Sequence, residues 1–312
     1  MFKYKEIYAQ ISKNLIFMKA VILCGGKGTR LKEETEYKPK PLVEIGGKPI
    51  LWHILKIYSS QGIKDFILCL GYKGNMIKDY FLKLEEMSND FVLDLKKNKI
   101  YHLSDENELD VTIHFVDTGE NAMTGARIAK IKKYVENDED FFMTYGDGVA
   151  DIDLCELYKF HKKNGKTATL TAVHPQYRFG LVELNGDLVT RFDEKPNMKD
   201  SINGGYMVLN KKIFDYISSE ESCVFEQEPL RRLAEEGQLA GYTHEGFWRA
   251  MDTQKDVDEL NKIIKDNPKS APWEIWKTNN KETMPKSDRL VFPKPSEFDR
   301  NNIENTQLNR FM

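Results

Sequence analysis

Glycines and cationic side chains are concentrated near the start of the chain, in the stretch from Met18 to Leu51. It reads MKAVILCGGKGTRLKEETEYKPKPLVEIGGKPIL, an apolar run that breaks into glycines and is followed by lysines and an arginine. Glycine lets backbone N–H groups come close to a ligand, and successive N–H groups form a concavity that binds anions. The loop containing Gly25, Gly26 and Gly28 therefore favours phosphate binding, with a tight turn that needs glycine as the alternative.

Two familiar phosphate-binding patterns do not fit this loop. The P-loop pattern GxxxxGK[ST] fails because Lys27 is followed by Gly28 and no upstream glycine has the required spacing. The dinucleotide pattern GxGxxG fails because Leu31 stands where its third glycine would be. Generic phosphate binding remains.

The cations that follow the loop strengthen this interpretation. A nucleoside triphosphate and a second phosphorylated substrate bring roughly five to six negative charges together, and like charges about 4 Å apart repel by about 4 kcal/mol at an effective dielectric of 20. Such a site needs fixed cations, for which Arg30, Lys38 and Lys40 are candidates. The prolines of KPKP restrict the backbone around both lysines. For Lys38 a solvated surface charge stays the alternative.

Two aspartates could supply oxygen ligands. Asp147 lies between glycines after the apolar run DFFMTY, where a strand would end, and Asp252 precedes a helical pattern in FWRAMDTQKD. Ligands of open α/β sheets bind beyond the carboxyl ends of strands, so Asp147 is expected to face a crevice. A turn or helix-cap role is the alternative for Asp147, and a helix N-cap for Asp252. The histidines show no HxxxH or HxH spacing that would compete as a metal site.

Alternating strand-like and helix-like segments must position these residues. Short apolar runs such as KAVILC and DFILCLG are typical of strands buried on both faces of a parallel sheet, and PILWHILKIYSSQG has the apolar stripe of a helix that ends near Gly62. This alternation predicts an open, doubly wound α/β sheet whose core includes Trp52 and Phe66. After Pro175, FGLVELNGDLVTRFDEKP predicts a smaller β-rich excursion with an Asn-Gly hairpin.

Composition excludes several classes of protein. The 312 residues are 40% hydrophobic with a net charge of −3, which suits one large core or two modest ones and argues against a nucleic-acid or membrane-surface protein. No apolar run approaches the ~20 residues that span a bilayer, and the N-terminus lacks the features of a signal peptide, so a cytoplasmic location is expected. The four cysteines lie far apart, and we expect reduced, packed thiols.

Taken together, these stretches resemble a known family. LCGGKGTRL followed by KPKPLVEIGGKPIL resembles the signature of the sugar-phosphate nucleotidyltransferases, and FVDTGENAMTGARI, TYGDGVADID, EKPN, INGGYMVLN and GFWRAMDT are similar to its glucose-1-phosphate cytidylyltransferase branch. The similarity covers about residues 18–277 and leaves residues 1–17 as an N-terminal extension and residues 278–312 as a C-terminal tail or arm. Cys24 stands where the family usually has alanine.

The resemblance implies a Rossmann-like, mostly parallel sheet with a small sugar-binding excursion, and an enzyme of EC 2.7.7 type. The implied reaction condenses CTP with α-D-glucose 1-phosphate to CDP-glucose and pyrophosphate, with Mg²⁺ as cofactor, for the biosynthesis of surface polysaccharides such as lipopolysaccharide or capsule. The attacking phosphate oxygen is already ionised at pH 7, so no general base is required. The family also forms oligomers, and a homo-oligomer, with a hexamer as the form typical of this branch, is expected.

The resemblance also implies a role for individual residues. Catalysis is expected to involve Arg30, Lys40 and Lys195. The nucleotide is expected to contact Leu23, Gly25, Gly26, Lys27, Gly28, Thr29, Gly125, Arg127 and Gly146. The sugar phosphate is expected to contact Gly180, Glu194, Asn203, Gly204 and Gly205. The metal is expected to be held by Asp147 and Asp252.

Alternative functions stay open at this point. The residues give no physical reason to prefer cytosine over uracil or thymine, so a uridylyl- or thymidylyltransferase, or a cytidylyltransferase with another phosphorylated acceptor, remains possible. A nucleotide-binding scaffold without turnover is the alternative from a different class. The presence of both aspartates beside the full set of cations argues against it, since a protein that only binds nucleotide does not need metal ligands.

Overall fold

The structure is a computed structural model that describes residue 15 and residues 17–103, 109–177 and 179–278. The chain divides into two units, Met1–Lys277 and Thr278–Met312, and the fold described below is that of the first. The predicted N-terminal extension and C-terminal tail lie almost wholly outside the described residues. None of the described helices is long and apolar enough to cross a membrane.

Strands and helices alternate along most of the described chain. The strands are β1 (Lys19–Leu23), β2 (Glu44–Ile45), β3 (Lys48–Pro49), β4 (Asp65–Leu70), β5 (Phe91–Asp94), β6 (Lys99–His102), β7 (Thr112–Asp117), β8 (Asp140–Tyr145), β9 (Gly148–Ala150), β10 (Ala168–Val173), β11 (Leu181–Asn185), β12 (Leu188–Asp193), β13 (Ile202–Asn210), β14 (Leu239–Thr243) and β15 (Trp248–Ala250). The α-helices are α1 (Lys32–Thr35), α2 (Ile50–Ser59), α3 (Gly74–Leu82), α4 (Leu84–Ser88), α5 (Thr124–Lys130), α6 (Lys132–Val135), α7 (Leu154–Asn164), α8 (Glu228–Glu235), α9 (Gln254–Asp266) and α10 (Ile275–Thr278). Short 3₁₀ helices cover Lys40–Leu42 and Lys211–Asp215.

The main sheet of the described chain has seven strands in the order β14-β10-β13-β8-β1-β4-β7. Every neighbouring pair is parallel except the two that involve β13, which runs against β8 and β10. Side chains of β1 alternate between two hydrophobic clusters, with Ala20 and Ile22 in one and Val21 and Leu23 in the other. The doubly wound, mostly parallel α/β sheet predicted from the apolar strands is confirmed, because both faces of this sheet are covered.

Small antiparallel pairs of strands accompany the main sheet. The predicted excursion is the hairpin of β11 and β12, in which Gly186 takes a positive φ of 59° in the turn after Asn185. The β5–β6 hairpin was not predicted, since its connecting segment LKKN carries no glycine or proline. The segment TGARIAKIKKYVEN forms two helices, α5 and α6, with a break at Ile131.

The core prediction is confirmed, since Trp52 and Phe66 are buried. All four cysteines are free thiols, of which Cys24 and Cys69 are buried and Cys155 and Cys223 are partly exposed. Burial raises the pKa of the Cys69 thiol to about 12, against a small opposing effect of the Arg127 charge. This thiol therefore stays protonated at neutral pH and packs as a small apolar group.

His53 on α2 is buried and neutral. Its Nε2 donates to the Ile45 carbonyl at 2.9 Å, and its Nδ1 accepts from the Trp273 indole N–H at 3.2 Å. Burial lowers the pKa of His53 to about 4, while the Ile45 carbonyl opposes the shift. The unfolded chain takes up a proton on this ring below about pH 6.5 and the folded protein does not, so stability is lost as the pH falls from 6.5 towards 4.

We expect this group to lower the free energy of unfolding by about 2 kcal/mol between pH 7 and pH 5. Urea unfolding at both pH values, compared between the wild type and His53→Gln, isolates the contribution, because the glutamine variant keeps a donor and an acceptor without titrating. An equal pH dependence in the two proteins would show that the imidazole is protonated in the folded state.

Candidate active site

The carboxyl ends of β1 and β8 lie side by side at one edge of the sheet. Leu23 is the partner of Tyr145 in the parallel ladder, and the Gly146 N–H donates to the Leu23 carbonyl at 3.1 Å. The glycine loop after β1 and the aspartate after β8 therefore open onto the same space. That space is a cleft of about 510 Å³, a size that suits a nucleotide.

Most of the residues expected to contact the nucleotide line this cleft. The predicted residues on its wall are Leu23, Gly25, Gly26, Lys27, Gly28, Thr29, Arg30, Lys40, Arg127, Gly146 and Asp147. The others on its wall are Cys24, Pro41, Glu120, Asn121, Ala122, Met123, Thr124 and Tyr145. Lys27 and Asn121 face each other across the opening, with Nζ donating to Oδ1 at 3.1 Å.

The glycines of the loop are required for different reasons. Gly28 has a positive φ of 62°, and a β-carbon there would lie 2.6 Å from the Thr35 methyl group. Gly26 faces open space, where a β-carbon would meet no protein atom within 4 Å. The fold therefore explains Gly28, whereas a bare backbone at Gly26 leaves room for a ligand to approach the N–H groups of the loop.

Arg127 on α5 is buried, and its hydrogen bonds hold the glycine loop in position. Its guanidinium donates to the carbonyls of Gly25 at 2.9 Å, Leu70 at 3.0 Å and Gly119 at 2.8 Å, and to the Thr118 hydroxyl at 2.7 Å. These acceptors lie at or just after the carboxyl ends of β1, β4 and β7, so one side chain connects three strand ends. A β-carbon on Gly25 would overlap the guanidinium at 2.1 Å, which explains the glycine.

A small antiparallel pair brings the second aspartate to the first. β9 follows Asp147, β15 precedes Asp252, and the register places Ala250 opposite Gly148, after which the Met251 N–H donates to the Asp147 carbonyl at 2.8 Å. The N-cap of α9 is Thr253, in a capping box with Asp256. The cap role considered for Asp252 is thus taken by its neighbour, and the Asp252 carboxylate faces the cations of the cleft.

Lys40 lies between the two aspartates. Its Nζ is 2.7 Å from Asp147 Oδ2 and 2.6 Å from Asp252 Oδ1, and the side chain is only 12% exposed. Burial would lower the pKa of Lys40, but the two carboxylates outweigh it and the pKa is raised, so the ammonium is charged at neutral pH. Arg30 Nη1 pairs with Asp252 Oδ2 at 2.9 Å, and this side chain is 75% exposed.

This donor set fits a hard divalent cation. Both carboxylates touch one nitrogen, so a single small ion can bridge them, and carboxylate oxygens are ligands that Mg²⁺ prefers. Among the described residues no group of three or more His, Cys, Asp or Glu could hold a metal ion. The geometry therefore suits a metal that takes its remaining ligands from phosphates and water rather than from the protein.

Comparison with known proteins agrees with this geometry. The family model described as nucleotidyl transferase matches residues 19–267. The chain belongs to the nucleotidyl transferase family. Such enzymes generally use a divalent metal, which the paired aspartates can hold.

Relatives within this nucleotidyl transferase family cover most of the chain. Glucose-1-phosphate cytidylyltransferase of Salmonella typhimurium is 48% identical over 261 residues, which are 83% of this chain and all of that protein. The probable glucose-1-phosphate cytidylyltransferase of Bacillus subtilis is 45% identical over 259 residues, again 83% of this chain and all of its own length. The solved structure of HddC from Yersinia pseudotuberculosis superimposes with a TM-score of 0.58 at 25% identity, covering 79% of this chain and 99% of that one.

Three of the residues predicted for the sugar side of this nucleotidyl transferase lie next to the cleft. Asn203, Gly204 and Gly205 belong to β13, which pairs with β8, and a β-carbon on Gly205 would lie 2.7 Å from the Tyr145 ring. The Asn203 Oδ1 accepts from the Gly205 N–H at 2.9 Å and stabilises this bend, in which Gly205 has a φ of 81°. Tyr145 therefore separates the cleft from the start of β13.

Three further predicted residues belong to the β11–β12 region. Lys195 has a positive φ of 47° and pairs with Glu194 at 3.1 Å, while Gly180 packs against the Phe192 ring and the Glu194 carboxylate. None of the three lines the cleft, and their contact with the sugar phosphate stays a prediction.

Gly125 has a structural explanation of its own. It does not line the cleft, and a β-carbon there would lie 2.6 Å from Cys223 Sγ. The Ala126 N–H donates to the Cys223 carbonyl at 3.1 Å, so the segment around Cys223 packs directly on the first turn of α5. The lack of a side chain at Gly125 is required by this packing, and its contact with the nucleotide stays a prediction.

A hydrogen-bonded chain that sequence reasoning missed borders the cleft. The Tyr145 hydroxyl donates to Glu226 Oε1, and the Thr124 hydroxyl donates to Glu226 Oε2 at 2.5 Å. Glu226 thus connects the end of β8 with the start of α5. Tyr145 was recognisable as the residue before the GDG turn, whereas Glu226 lies in a segment with no strand end to mark it.

Proposed function

We propose that the protein condenses CTP with α-D-glucose 1-phosphate to give CDP-glucose and pyrophosphate. The observation that carries the proposal is the convergence of Lys40, Asp147 and Asp252 on one point beside the glycine loop. The choice of cytidine and glucose is supported by the relatives from Salmonella typhimurium and Bacillus subtilis, which carry that activity in their names at 48% and 45% identity.

In this reaction an oxygen of the sugar phosphate attacks the α-phosphorus of CTP, and the bond from that phosphorus to the bridging oxygen breaks as pyrophosphate leaves. No general base is needed, because the attacking oxygen is ionised at pH 7. The loop of Gly25, Gly26 and Gly28 presents N–H groups to the triphosphate. Arg30 and Lys40 stabilise the charge that develops on the α-phosphoryl group and on pyrophosphate, so catalysis consists of positioning and charge stabilisation.

Asp147 and Asp252 are the residues that would hold Mg²⁺. When bound, the ion neutralises phosphate charge and orients the phosphates for in-line attack. On the sugar side, Lys195 is assigned to the phosphate of glucose 1-phosphate, with Gly180, Glu194 and the Asn203–Gly205 bend assigned to the hexose.

We further propose that the protein forms a homo-oligomer, with a hexamer as the form that the resemblance implies. Exposed large apolar side chains on two hairpins support this, since burying them against another subunit would be favourable. On the β5–β6 hairpin they are Phe91, Val92, Leu93, Ile100 and Tyr101, and on the β11–β12 hairpin Leu184, Leu188, Val189 and Phe192. A cytoplasmic location stays a prediction.

Pyrophosphate release with each of the four ribonucleoside triphosphates and dTTP, against a panel of sugar 1-phosphates, tests the proposed reaction. We expect turnover to be highest with CTP and glucose 1-phosphate and to require a divalent metal. Reactions without a sugar phosphate serve as the control for hydrolysis. Higher turnover with UTP, dTTP or another acceptor would reassign the substrates, and no turnover with any pair would favour a nucleotide-binding scaffold.

A further inference from the structure

The geometry points to a second role for Lys40: its ammonium is an internal cation that occupies the metal position of Asp147 and Asp252 and must leave it before a divalent ion can enter. This inference rests on the proposed function, in which these aspartates hold the metal. It assigns to Lys40 an effect on metal affinity that is separate from its contact with phosphate.

Lys40 lies where an ion held by both aspartates would have to bind. Lys40 Nζ contacts Asp147 Oδ2 at 2.7 Å and Asp252 Oδ1 at 2.6 Å, so it stands between the two carboxylates that would hold the ion. Arg30 occupies the other oxygen of Asp252 at 2.9 Å. A metal ion that arrives alone must therefore displace an ammonium from both carboxylates.

Electrostatic attraction holds the Lys40 ammonium on the two carboxylates. The Lys40 side chain is mostly buried, so solvent screens its attraction to the carboxylates less than it screens an exposed pair. The Arg30 pair is mostly exposed and is expected to contribute little. With Lys40 in place, the pair of aspartates is already neutralised in part, and an incoming divalent cation is repelled by the ammonium. Metal without nucleotide is therefore expected to bind weakly.

Binding of a triphosphate allows the Lys40 ammonium to leave the two aspartates. Lys40 lines the same cleft as the glycine loop, and the ideal β-carbon position of Gly28 is 3.4 Å from Lys40 Cβ. The Lys40 side chain therefore starts beside the loop on which the triphosphate is proposed to bind, where a bound phosphate can replace the carboxylates as the partner of its ammonium. Metal and triphosphate then bind cooperatively, because each favours the arrangement in which Lys40 has left the aspartates.

The test measures the binding of Mn²⁺ alone, by electron paramagnetic resonance and calorimetry, with no nucleotide present. Lys40→Met keeps the aliphatic stem and removes the charge, and it is expected to bind Mn²⁺ roughly tenfold to a hundredfold more tightly than the wild type. Lys40→Arg keeps the charge and is expected to show no such gain. Lys38→Met is the matched control, because Lys38 does not line the cleft and pairs with Glu34 at 3.4 Å, in agreement with the surface-charge alternative for this lysine.

A second substitution shows whether the tighter Mn²⁺ binding of Lys40→Met occurs at the aspartates. Adding Asp147→Asn to Lys40→Met is expected to abolish the tighter binding, and retention of it would place the metal elsewhere and overturn the inference. Equal Mn²⁺ affinity in folded Lys40→Met and wild type would overturn it as well. Because no turnover is measured, these outcomes are independent of whether the protein transfers a cytidylyl group.

If Lys40→Met does not fold, the wild-type protein can still be used to test the inference. In a crystal structure of the wild-type protein with Mn²⁺ and CTP, Lys40 Nζ is expected to lie beyond hydrogen-bonding distance of both aspartates and to contact a phosphate. An ammonium that still bridges Asp147 and Asp252 while Mn²⁺ is bound would show that the two cations do not compete.

Discussion

Replacing Asp147 by asparagine is expected to lower kcat at least a thousandfold, about 4 kcal/mol of transition-state stabilisation, at any accessible concentration of Mg²⁺. The neutral amide keeps the shape of the side chain but removes the charge that is proposed to hold the ion and that pairs with Lys40 at 2.7 Å. Pyrophosphate release measured across a magnesium titration separates the two possible losses. A weakened metal site shifts the curve to higher magnesium, whereas misplaced phosphates lower its plateau.

Asp153→Asn is the matched control for this substitution. Asp153 lies six residues further along the chain and caps α7, where its side chain accepts from the Glu156 N–H. Asparagine caps helices about as well as aspartate, so this variant should fold and turn over like the wild type. Activity of Asp147→Asn within about threefold of the wild type at ordinary magnesium concentrations would remove Asp147 from the metal site.

The position of Asp147 could be predicted from the sequence because it depends on local rules. An apolar run that ends in glycine marks the carboxyl end of a buried strand, and in an open parallel sheet such ends face a common crevice. The same rule applies to the loop after β1, so the sequence was sufficient to place Gly26, Gly28 and Asp147 at one edge. The register of Leu23 opposite Tyr145 then sets how close they come.

The approach of Asp252 to that edge could not be derived in this way. It depends on the pairing of β9 with β15, two three-residue strands that are about a hundred residues apart in the chain and carry no alternating pattern. From the sequence alone, an aspartate that precedes a helix can be interpreted as the helix N-cap just as well as a metal ligand. Only the capping box of Thr253 with Asp256 shows that the cap is the next residue.

Arg127 shows a different limit of sequence reasoning. A basic residue in a segment resembling a base pocket suggests contact with a ligand, yet its guanidinium is buried among the carbonyls of three strand ends. Burying a charge is costly unless it is well hydrogen-bonded, and here the bonds come from loops distant in sequence. Its position on the cleft wall is compatible with contact to nucleotide, but its contacts within the protein are those of a residue that shapes the loop.

Replacing Lys40 by alanine is expected to lower kcat by about two to four decades, which corresponds to about 3 to 5 kcal/mol in the transition state. The fold should tolerate the change, because the 3₁₀ turn of Lys40–Leu42 is held by the backbone bonds Leu42 N–H to Pro39 O at 2.8 Å and Val43 N–H to Lys40 O at 3.0 Å. Lys38→Ala removes a lysine from the same loop without touching either aspartate and should stay near wild-type activity.

The loss in Lys40→Ala should persist at saturating magnesium and CTP. If the lysine only helped to bind substrates, higher concentrations would restore kcat, since uniform binding appears in KM. If it stabilises charge that develops in the transition state, kcat stays low although the metal site, no longer occupied by an ammonium, binds its ion more tightly. A variant whose kcat recovers to within about threefold of the wild type under saturation would limit Lys40 to ground-state binding.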